Sequence, residues 1–229
     1  MKKEVTILLP CLNEEKTLEI CIKNIRNVMD KTKYKYEILV SDNNSTDSSV
    51  KIAKKNKARV CHEKKKGYGN ALINGIKNAY GKYIVMLDCD GSYNHEDIPE
   101  FLKELDNGYD LVMGNRFNKR TKKEASPFSH RIGARILSIY SNILYGTKLK
   151  DYHCGLRAFR KDKIDKINLE CGGMEFASEI IIKAKLNKFK IKQIDTEYFK
   201  DLREKKSHLV PIRDGYRHLK LITKLRFTK

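Results

Sequence analysis

The sequence predicts an α/β fold in which a mostly parallel central sheet is flanked by helices. Across residues 1–115, short apolar segments alternate with stretches whose apolar residues recur at helical spacing, and this alternation is typical of parallel sheets with helical crossovers. Residues 83–87 are apolar throughout, as expected of a strand buried on both faces. The length of 229 residues and the 40% hydrophobic content suffice for one sizeable core.

The first half of the chain is predicted to contain five strands and four helices. The strands are expected at residues 5–10, 37–41, 59–62, 83–87 and 110–114, and the helices at 14–29, 46–56, 69–80 and 97–105. The first helix shows the pattern most clearly, because Leu18, Ile22, Ile25 and Met29 recur on one face.

The second half is less regular. Strands are predicted at residues 155–159 and 191–196, and a helix at 174–187. A helical apolar stripe consists of Ile132, Ile136, Ile139 and Ile143. Residues 212–227 place basic side chains one position after apolar ones, which predicts a basic amphipathic helix at the end of the chain.

The charge is concentrated in the second half. The chain has 48 Lys and Arg against 29 Asp and Glu, a net charge of +19. Residues 1–115 hold 19 basic and 17 acidic side chains, whereas residues 116–229 hold 29 basic and 12 acidic ones. This asymmetry indicates an anionic partner such as phosphate, nucleic acid or a membrane surface. A lysine-rich, solvated surface explains the excess equally well.

Neither export nor a membrane span is predicted. No apolar run approaches the roughly 20 residues that a transmembrane helix needs, and the N-terminal apolar run is too short for a secretory signal. The six cysteines contain no C-x-x-C pair, so a zinc ribbon is not expected. We expect the thiols to be reduced and mostly buried.

Polar clusters follow three of the predicted strands, at residues 11–14, 42–47 and 88–90, where ligands collect in α/β sheets. Asp88 and Asp90 follow the strand at 83–87, and two neighbouring carboxylates suit Mg²⁺ or Mn²⁺ shared with phosphate oxygens. The alternative is a polar turn in which Asp88 caps the next helix. Asp42 is predicted to bind a ligand and Asp47 to cap a helix. Gly67 opens a glycine-bearing loop whose backbone N–H groups can approach an anion.

Together these segments resemble glycosyltransferase family 2, which has the GT-A fold. Residues 10–14 (PCLNE) resemble the family's P-x-x-N-E opening, and residues 42–47 (DNNSTD) its D-D-G-S-x-D segment. Residues 67–71 (GYGNA) are similar to its G-x-G-x-A loop, and Asp88-Cys89-Asp90 matches its D-x-D motif.

The second half resembles the dolichyl- and polyprenyl-phosphate mannose or glucose synthases of that family. Residues 114–117 (GNRF) resemble a G-S-R-[FY] segment, and residues 151–159 (DYHCGLRAF) a D-x-x-x-G-[FL]-R-A-F segment. Arg203 with residues 206–209 (KSHL) is similar to the acceptor loop R-x-x-G-x-S-K-L. Lys205 stands where that loop has Gly, His208 where it often has Lys, and Ser92 where some members have Gln.

The resemblance implies a domain organisation and a reaction. Residues 1–210 would form the GT-A domain, with a nucleotide-sugar half at 1–115 and an acceptor half at 116–210, followed by a tail helix at 211–229. The enzyme would transfer a hexose, with inversion, from GDP-mannose or UDP-glucose to a polyprenyl or dolichyl phosphate. It would act as a peripheral protein on the cytoplasmic face of a membrane, with or without an anchoring partner, and would not bind nucleic acid.

The resemblance also assigns roles to individual residues. Donor binding falls to Pro10, Asn13, Glu14, Asp42, Gly67, Asp88 and Asp90, of which Asp88 and Asp90 would hold Mg²⁺ or Mn²⁺. Binding of the acceptor phosphate falls to Arg116, Arg131, Arg157, Arg203, Lys206 and Ser207. The catalytic roles fall to Asp90, Arg116 and Arg203.

Other interpretations stay open. A related transferase would use a cell-surface glycan as acceptor, and a nucleotidyltransferase would also use an α/β sheet with paired carboxylates. The charge also permits a nucleic-acid-binding protein, although no RRM, KH or helix-turn-helix pattern is present. Glu175 and Glu179 would act either as a base or as acceptor-site carboxylates, or would form ion pairs on a helix surface.

Overall fold

The computed structural model describes residues 3–122, 125, 127–203 and 210–227. In this part of the chain, seven strands form one sheet in the spatial order β3-β2-β1-β4-β6-β5-β7. The strands are β1 (Val5–Cys11), β2 (Tyr36–Asp42), β3 (Arg59–His62), β4 (Tyr83–Met86), β5 (Leu111–Asn115), β6 (Arg157–Arg160) and β7 (Ile191–Asp195). β6 runs antiparallel to β4 and β5, and the other neighbouring strands pair in parallel. The prediction of a mostly parallel sheet is confirmed.

Helices connect the strands and cover the sheet. They are α1 (Leu18–Met29), α2 (Ser49–Lys55), α3 (Tyr68–Asn78), α4 (Ile98–Asp106), α5 (Phe128–Tyr145), α6 (Lys161–Ile164), α7 (Phe176–Leu186) and α8 (Pro211–Phe227). A short 3-10 turn at His95–Asp97 precedes α4.

Two apolar clusters fill the two faces of the sheet. On β1, Ile7 and Leu9 belong to one cluster and Leu8 to the other, because successive side chains of a strand point to opposite faces. The first cluster includes buried residues of α1 and α4, and the second includes those of α3 and α7. Ile222 of α8 is fully buried in the second cluster, so α8 is anchored to the core.

The first helix differs most from its predicted start. α1 begins at Leu18 rather than at residue 14, and the backbone N–H groups of Thr17 and Leu18 donate to the carbonyl oxygen of Glu14 in a turn. Glu14 is buried, and its side chain accepts a hydrogen bond from Arg203, which lies near the other end of the chain.

α5 and α8 pack against each other. The Tyr145 hydroxyl donates to the Ile222 carbonyl oxygen at 2.7 Å, and the hydroxyls of Tyr140 and Thr223 lie 2.9 Å apart. Both helices leave large apolar side chains in solvent: Phe128, Ile132, Ile136, Ile139 and Ile143 on α5, and Ile212, Tyr216, Leu219 and Phe227 on α8. None of the helices among the described residues has both the length and the apolar character that crossing a bilayer requires.

Candidate active site

A cavity of about 740 Å³ lies at the carboxyl ends of β1 and β4 and extends to the first turns of α3, α5 and α8. It brings together most of the predicted site residues: Pro10, Glu14, Gly67, Asp88, Asp90, Arg116, Arg131, Arg157 and Arg203. Asn13 and Asp42 are not among the described residues that line it. Lys206 and Ser207 lie outside the described residues, so their predicted roles stay predictions.

The paired carboxylates sit directly after β4. Asp88 Oδ1 accepts a hydrogen bond from the Tyr68 hydroxyl at 2.9 Å. Asp90 is more fully engaged, because its Oδ1 accepts from Ser92 N at 3.0 Å and from Ser92 Oγ at 2.5 Å. Burial and the neighbouring Asp90 carboxylate raise the pKa of Asp88 to about 6, since both effects disfavour the charged form.

Arg203 joins two walls of the cavity. Its guanidinium donates to Asp90 Oδ2 at 2.5 Å and to Glu14 Oε1 at 3.0 Å, linking the loop after β1 to the loop after β4. Burial raises the pKa of Glu14 to about 7, although Arg203 opposes the shift. Two buried carboxylates therefore depend on one arginine for much of their charge compensation.

Asn43 holds the loop that carries Gly67. The Asn43 side chain donates to the carbonyl oxygens of Glu63 and Lys65, and its Oδ1 accepts from Gly67 N at 2.7 Å. Gly67 has φ +141°, and a Cβ there would overlap the Gly172 carbonyl oxygen, so the close approach requires glycine. This loop in turn places Tyr68 against Asp88. Sequence reasoning assigned no role to Asn43 or Tyr68, and the only signal was their position beside motif residues.

Asn13 and Asp42 act within the neighbouring loops. Asn13 Oδ1 accepts from Thr46 N at 2.7 Å. Asp42 Oδ2 lies 3.2 Å from His62 Nδ1, and Asp42 Oδ1 accepts a hydrogen bond from Ser45 N. These contacts join the loops after β1 and β2 and the adjacent ends of β2 and β3.

Asp47 also joins two loops. Asp47 Oδ1 accepts from Ser49 N at 2.9 Å, which caps the start of α2, and its Oδ2 accepts from Glu15 N at 3.1 Å. This arrangement agrees with the structural role predicted for Asp47.

Arg116 is held by a buried carboxylate that the sequence did not single out. Asp151, fully buried, accepts from Arg116 Nε at 2.7 Å and from Arg116 Nη2 at 3.0 Å. The same carboxylate accepts from the backbone N–H groups of Arg116 and His153. The pair fixes the Arg116 guanidinium in a bidentate geometry at the cavity wall.

Arg157 is fully buried, and its described hydrogen bonds go to backbone carbonyls rather than carboxylates. Its guanidinium donates to the carbonyl oxygens of Tyr152, Cys154 and Ala177 at 2.8–2.9 Å. Burial lowers the pKa of Arg157, and its charge leaves the wall attractive to an anion.

The two glutamates of the α7 region have different surroundings. Glu179 is buried, so its predicted position on the helix surface is wrong, whereas the predicted ion pair with Lys183 along the helix is confirmed. It accepts from the backbone N–H groups of Glu170 and Cys171 and pairs with Lys183 Nζ at 2.8 Å. Glu175 pairs with Arg217 at 2.6 Å. Glu179 therefore fixes the loop that packs against Gly67 and Gly69.

The sequence model described as Glycosyl transferase family 2 matches residues 6–167. The chain belongs to glycosyl transferase family 2. The low-salt glycan biosynthesis hexosyltransferase Agl6 of Haloferax volcanii is 32% identical to it over 220 residues, which are 95% of this chain and 52% of that protein. The dolichol-phosphate mannosyltransferase of Pyrococcus furiosus is 29% identical over 192 residues, 81% of this chain and 54% of that protein. The chain thus spans about half the length of these two relatives.

Solved structures share the fold of this glycosyltransferase. Glucosyl-3-phosphoglycerate synthase from Mycobacterium tuberculosis, in complex with phosphoglyceric acid, gives a TM-score of 0.77 at 19% identity, over 97% of this chain and 80% of that one. The same enzyme with Mn²⁺, UDP-glucose and phosphoglyceric acid also gives 0.77 at 19% identity, over 98% and 80% of the two chains. The predicted GT-A type of fold is confirmed.

The carboxylate pair of this family 2 glycosyltransferase has the chemistry of a divalent-cation site. Asp88 and Asp90 are two hard oxygen donors whose mutual repulsion contributes to the raised pKa of Asp88, and a divalent cation would offset it. Among the described residues, no group of three or more His, Cys, Asp or Glu side chains is arranged to hold a metal ion. Two protein carboxylates fit Mg²⁺ or Mn²⁺, which usually keep water and substrate phosphate as further ligands.

Proposed function

We propose that this glycosyltransferase moves a hexose from a nucleoside-diphosphate sugar to the phosphate of a polyprenyl or dolichyl lipid at a membrane surface. The observation that carries the proposal is the composition of the cavity, which is lined both by the paired carboxylates and by several arginine guanidiniums. The mouth is formed in part by α5 and α8, which expose apolar side chains. The name of the Pyrococcus furiosus relative supports a lipid phosphate acceptor.

The donor would bind at the ends of β1 and β4. Asp88 and Asp90 would hold Mg²⁺ or Mn²⁺, which when bound offsets the charge of the departing diphosphate. Mn²⁺ and UDP-glucose in structures that share the fold support this part. Pro10 and Glu14 line the same end of the cavity, and Asn13 and Asp42 would support the nucleoside from the adjoining loops. GDP-mannose and UDP-glucose are the two candidate donors.

The acceptor would bind against the arginines. A phosphate monoester is already ionised at neutral pH, so its oxygen needs no strong base to attack the anomeric carbon. Arg116, fixed by Asp151, and Arg157, fixed by carbonyls, present guanidinium N–H groups that match phosphate oxygens. Arg131 lies in the first turn of α5 on the same wall. Attack in line with the departing diphosphate inverts the anomeric centre.

The helices suit a lipid acceptor because the same elements line the cavity and expose apolar side chains. Arg131 lines the cavity and Ile143 is exposed on the same helix, about 18 Å further along at 1.5 Å per residue. Arg213, Arg217, Lys220 and Lys224 on α8 would lie near anionic headgroups. The protein would therefore act as a peripheral membrane protein on the cytoplasmic face, with or without an anchoring partner.

Product analysis tests the reaction. Purified enzyme with Mn²⁺ is offered radiolabelled GDP-mannose or UDP-glucose and a short polyprenyl phosphate in detergent, and the label is partitioned between butanol and water. We expect label in the organic phase, release of nucleoside diphosphate, and loss of both with Asp88→Asn or Asp90→Asn. Label only on water-soluble phosphoglycerate or glycan acceptors would refute the lipid acceptor. Release of pyrophosphate would indicate a nucleotidyltransferase instead.

Vesicle flotation tests the membrane contact. Ile136 and Ile212 are 61% and 89% exposed, so the double variant Ile136→Gln/Ile212→Gln should leave the fold intact. Burial of an isoleucine is worth about 1.5–3 kcal/mol, and partial insertion of two predicts at least about a tenfold loss of binding to anionic vesicles. Ile20→Gln on α1 is the matched control, since Ile20 is 46% exposed and lies on a different helix. Equal flotation of all three proteins would contradict the proposed contact.

A further inference from the structure

Two histidines and a serine from three separate elements meet at the cavity wall. Ser178 Oγ, in the first turn of α7, lies 3.3 Å from His153 Nε2 and 2.8 Å from His218 Nδ1. The imidazole of His153, in the loop before β6, stacks edge-on with that of His218 on α8, with centroids 4.7 Å apart and an interplanar angle of 82°. Sequence reasoning missed this cluster because the three residues share no spacing.

The cluster lines the same cavity as the paired carboxylates. Both imidazoles line the cavity that holds Asp88 and Asp90. His153 is two residues before Gly155, and Gly155 packs so closely on Asp88 that a Cβ there would lie 2.8 Å from Asp88 Oδ2. A hexose attached to a diphosphate at Asp88 and Asp90 would therefore extend toward this part of the wall.

The chemistry of the cluster differs from that of the rest of the wall. Burial lowers the pKa of His218 to about 4, and burial followed by the neighbouring His218 lowers the pKa of His153 well below its usual range. Both imidazoles are uncharged at neutral pH, so they add nothing to the attraction for phosphate. An uncharged imidazole offers one N–H donor and one acceptor nitrogen, which matches a hydroxyl group.

The hydrogen bonds of the cluster leave capacity unused. The Ser178 hydroxyl engages one nitrogen of each ring, and the second nitrogen of His153, Nδ1, is buried without a hydrogen-bond partner. Buried polar atoms in folded proteins are rarely left unpaired. The unpaired nitrogen leaves the cluster able to form one more hydrogen bond.

We infer that the imidazole pair of His153 and His218, joined through Ser178, hydrogen-bonds a hydroxyl group of the transferred hexose. This inference rests on the proposed function, because it assumes a hexosyl donor held by Asp88 and Asp90. The cavity then divides by chemistry: guanidinium groups receive phosphate, and uncharged imidazoles receive the sugar.

Binding measurements separate the hexose from the nucleotide. Dissociation constants of GDP, GDP-mannose, UDP and UDP-glucose are measured by calorimetry with Mn²⁺ for the wild type and for His218→Phe, which keeps an aromatic ring against His153. We expect the affinity for the preferred sugar nucleotide to fall by about tenfold, with the affinity for the matching nucleoside diphosphate changed less than about twofold. Ser178→Ala should cause a smaller loss in the same direction, of about threefold.

A matched control isolates the effect of a buried serine. Ser141 on α5 is also fully buried, and its hydroxyl donates to the Leu137 carbonyl oxygen within its own helix at 2.8 Å. Ser141→Ala should bind sugar nucleotide and nucleoside diphosphate as the wild type does. Where His218→Phe fails to fold, by circular dichroism, Ser178→Ala alone decides the question against Ser141→Ala.

Four outcomes overturn the inference, and the last of them also overturns the proposed function. Equal losses of nucleoside diphosphate and sugar nucleotide would make the cluster a support for the fold or the nucleotide. Unchanged donor binding in both variants, with a raised KM for acceptor, would place the acceptor there. If the wild type binds each nucleoside diphosphate and its sugar nucleotide with the same affinity, the hexose contributes nothing to binding and the inference alone fails. If the wild type binds none of these nucleotides, the proposed function fails as well.

Discussion

The pair of Arg116 and Asp151 gives the sharpest test of how the arginine-bearing wall of the cavity is built. The Asp151 carboxylate accepts four N–H groups, three from Arg116 and one from the His153 backbone. Asp151→Asn keeps the shape but replaces one acceptor oxygen with an NH₂ group. That group would face N–H donors and leave the Arg116 charge without its counter-ion.

The cost follows from burial. Removing one partner of a buried ion pair costs about 3–5 kcal/mol. The Asp151 side chain is 0% exposed and that of Arg116 is 18% exposed, so we expect the lower end, about 3 kcal/mol. Arg116→Gln should cost about 2 kcal/mol, because the backbone N–H groups of Arg116 and His153 still compensate the carboxylate. The double variant should cost less than the sum by about 2 kcal/mol.

The lowered pKa of Asp151 determines how the stability contributed by this ion pair depends on pH. Although burial opposes it, the Arg116 guanidinium lowers the pKa of Asp151 below its usual range. The pair's contribution is therefore fully present above the unfolded pKa of about 3.9 and is lost as pH falls through the lower folded value. The gap in unfolding free energy between wild type and Asp151→Asn should stay constant from about pH 5 to 8.

The chain has no tryptophan, so urea unfolding is followed by far-UV circular dichroism. Arg160→Gln is the control, since Arg160 and Asp162 form an exposed pair that should contribute less than about 0.5 kcal/mol. A coupling energy between Arg116 and Asp151 below about 0.5 kcal/mol would refute the assignment of Asp151 as the residue that fixes Arg116.

Three further predictions concern the elements around the cavity. Gly69→Ala should lower the unfolding free energy by about 2 kcal/mol, because its Cβ would overlap the Cys171 carbonyl oxygen. Gly215→Ala should raise the unfolding free energy by about 0.5–1 kcal/mol, because the space around Gly215 is open. Urea unfolding measures both, and equal effects of the two variants would contradict this packing. His218 is buried with its pKa lowered to about 4, so the folded state loses stability as pH falls from about 6.5 to 4. His218→Phe should lose about 2–3 kcal/mol less than the wild type over that interval, and parallel stability curves would count against the buried, neutral imidazole. Glu179→Gln should cost about 1–2 kcal/mol and speed amide hydrogen exchange at Cys171, since the carboxylate accepts from that N–H group; unchanged exchange would show that the loop is held by other contacts.

Much of the fold follows from the sequence because strands such as β1, β4 and β5 are buried along their whole length. The apolar run at 83–87 predicts β4 to within one residue, since a strand covered on both faces must be apolar at every position. Helix starts are less accessible to pattern reasoning. α1 begins at Leu18, and the preceding Glu14 is buried in contact with Arg203, 189 residues away. The local spacing of apolar residues cannot predict a contact so distant in sequence.

The candidate site divides in the same way. Glu14, Asp88 and Asp90 were predicted to lie together because each follows a strand at one edge of the sheet, and all three line the cavity. The residues that hold them in place were not predicted. Tyr68 lies in the segment 67–71 and Asp151 begins the segment 151–159, but the tertiary fold sets the partners of their side chains, so the sequence does not predict these contacts.

The basic residues of the second half fall into two groups: arginines that are paired with carboxylates in the cavity, and lysines and arginines that are exposed to solvent. Within the cavity, Arg116 and Arg203 are paired with carboxylates, so much of their charge is compensated locally and their remaining N–H groups supply directional hydrogen bonds. The excess that a distant anion would sense therefore belongs mainly to exposed lysines and arginines, such as Lys220 and Lys224 on α8. Salt screens exposed charges beyond about 8–10 Å, but buried pairs much less. Attraction to an anionic membrane should thus depend strongly on ionic strength, while phosphate binding in the cavity should depend on the geometry that Asp151 and Glu14 impose on the arginines.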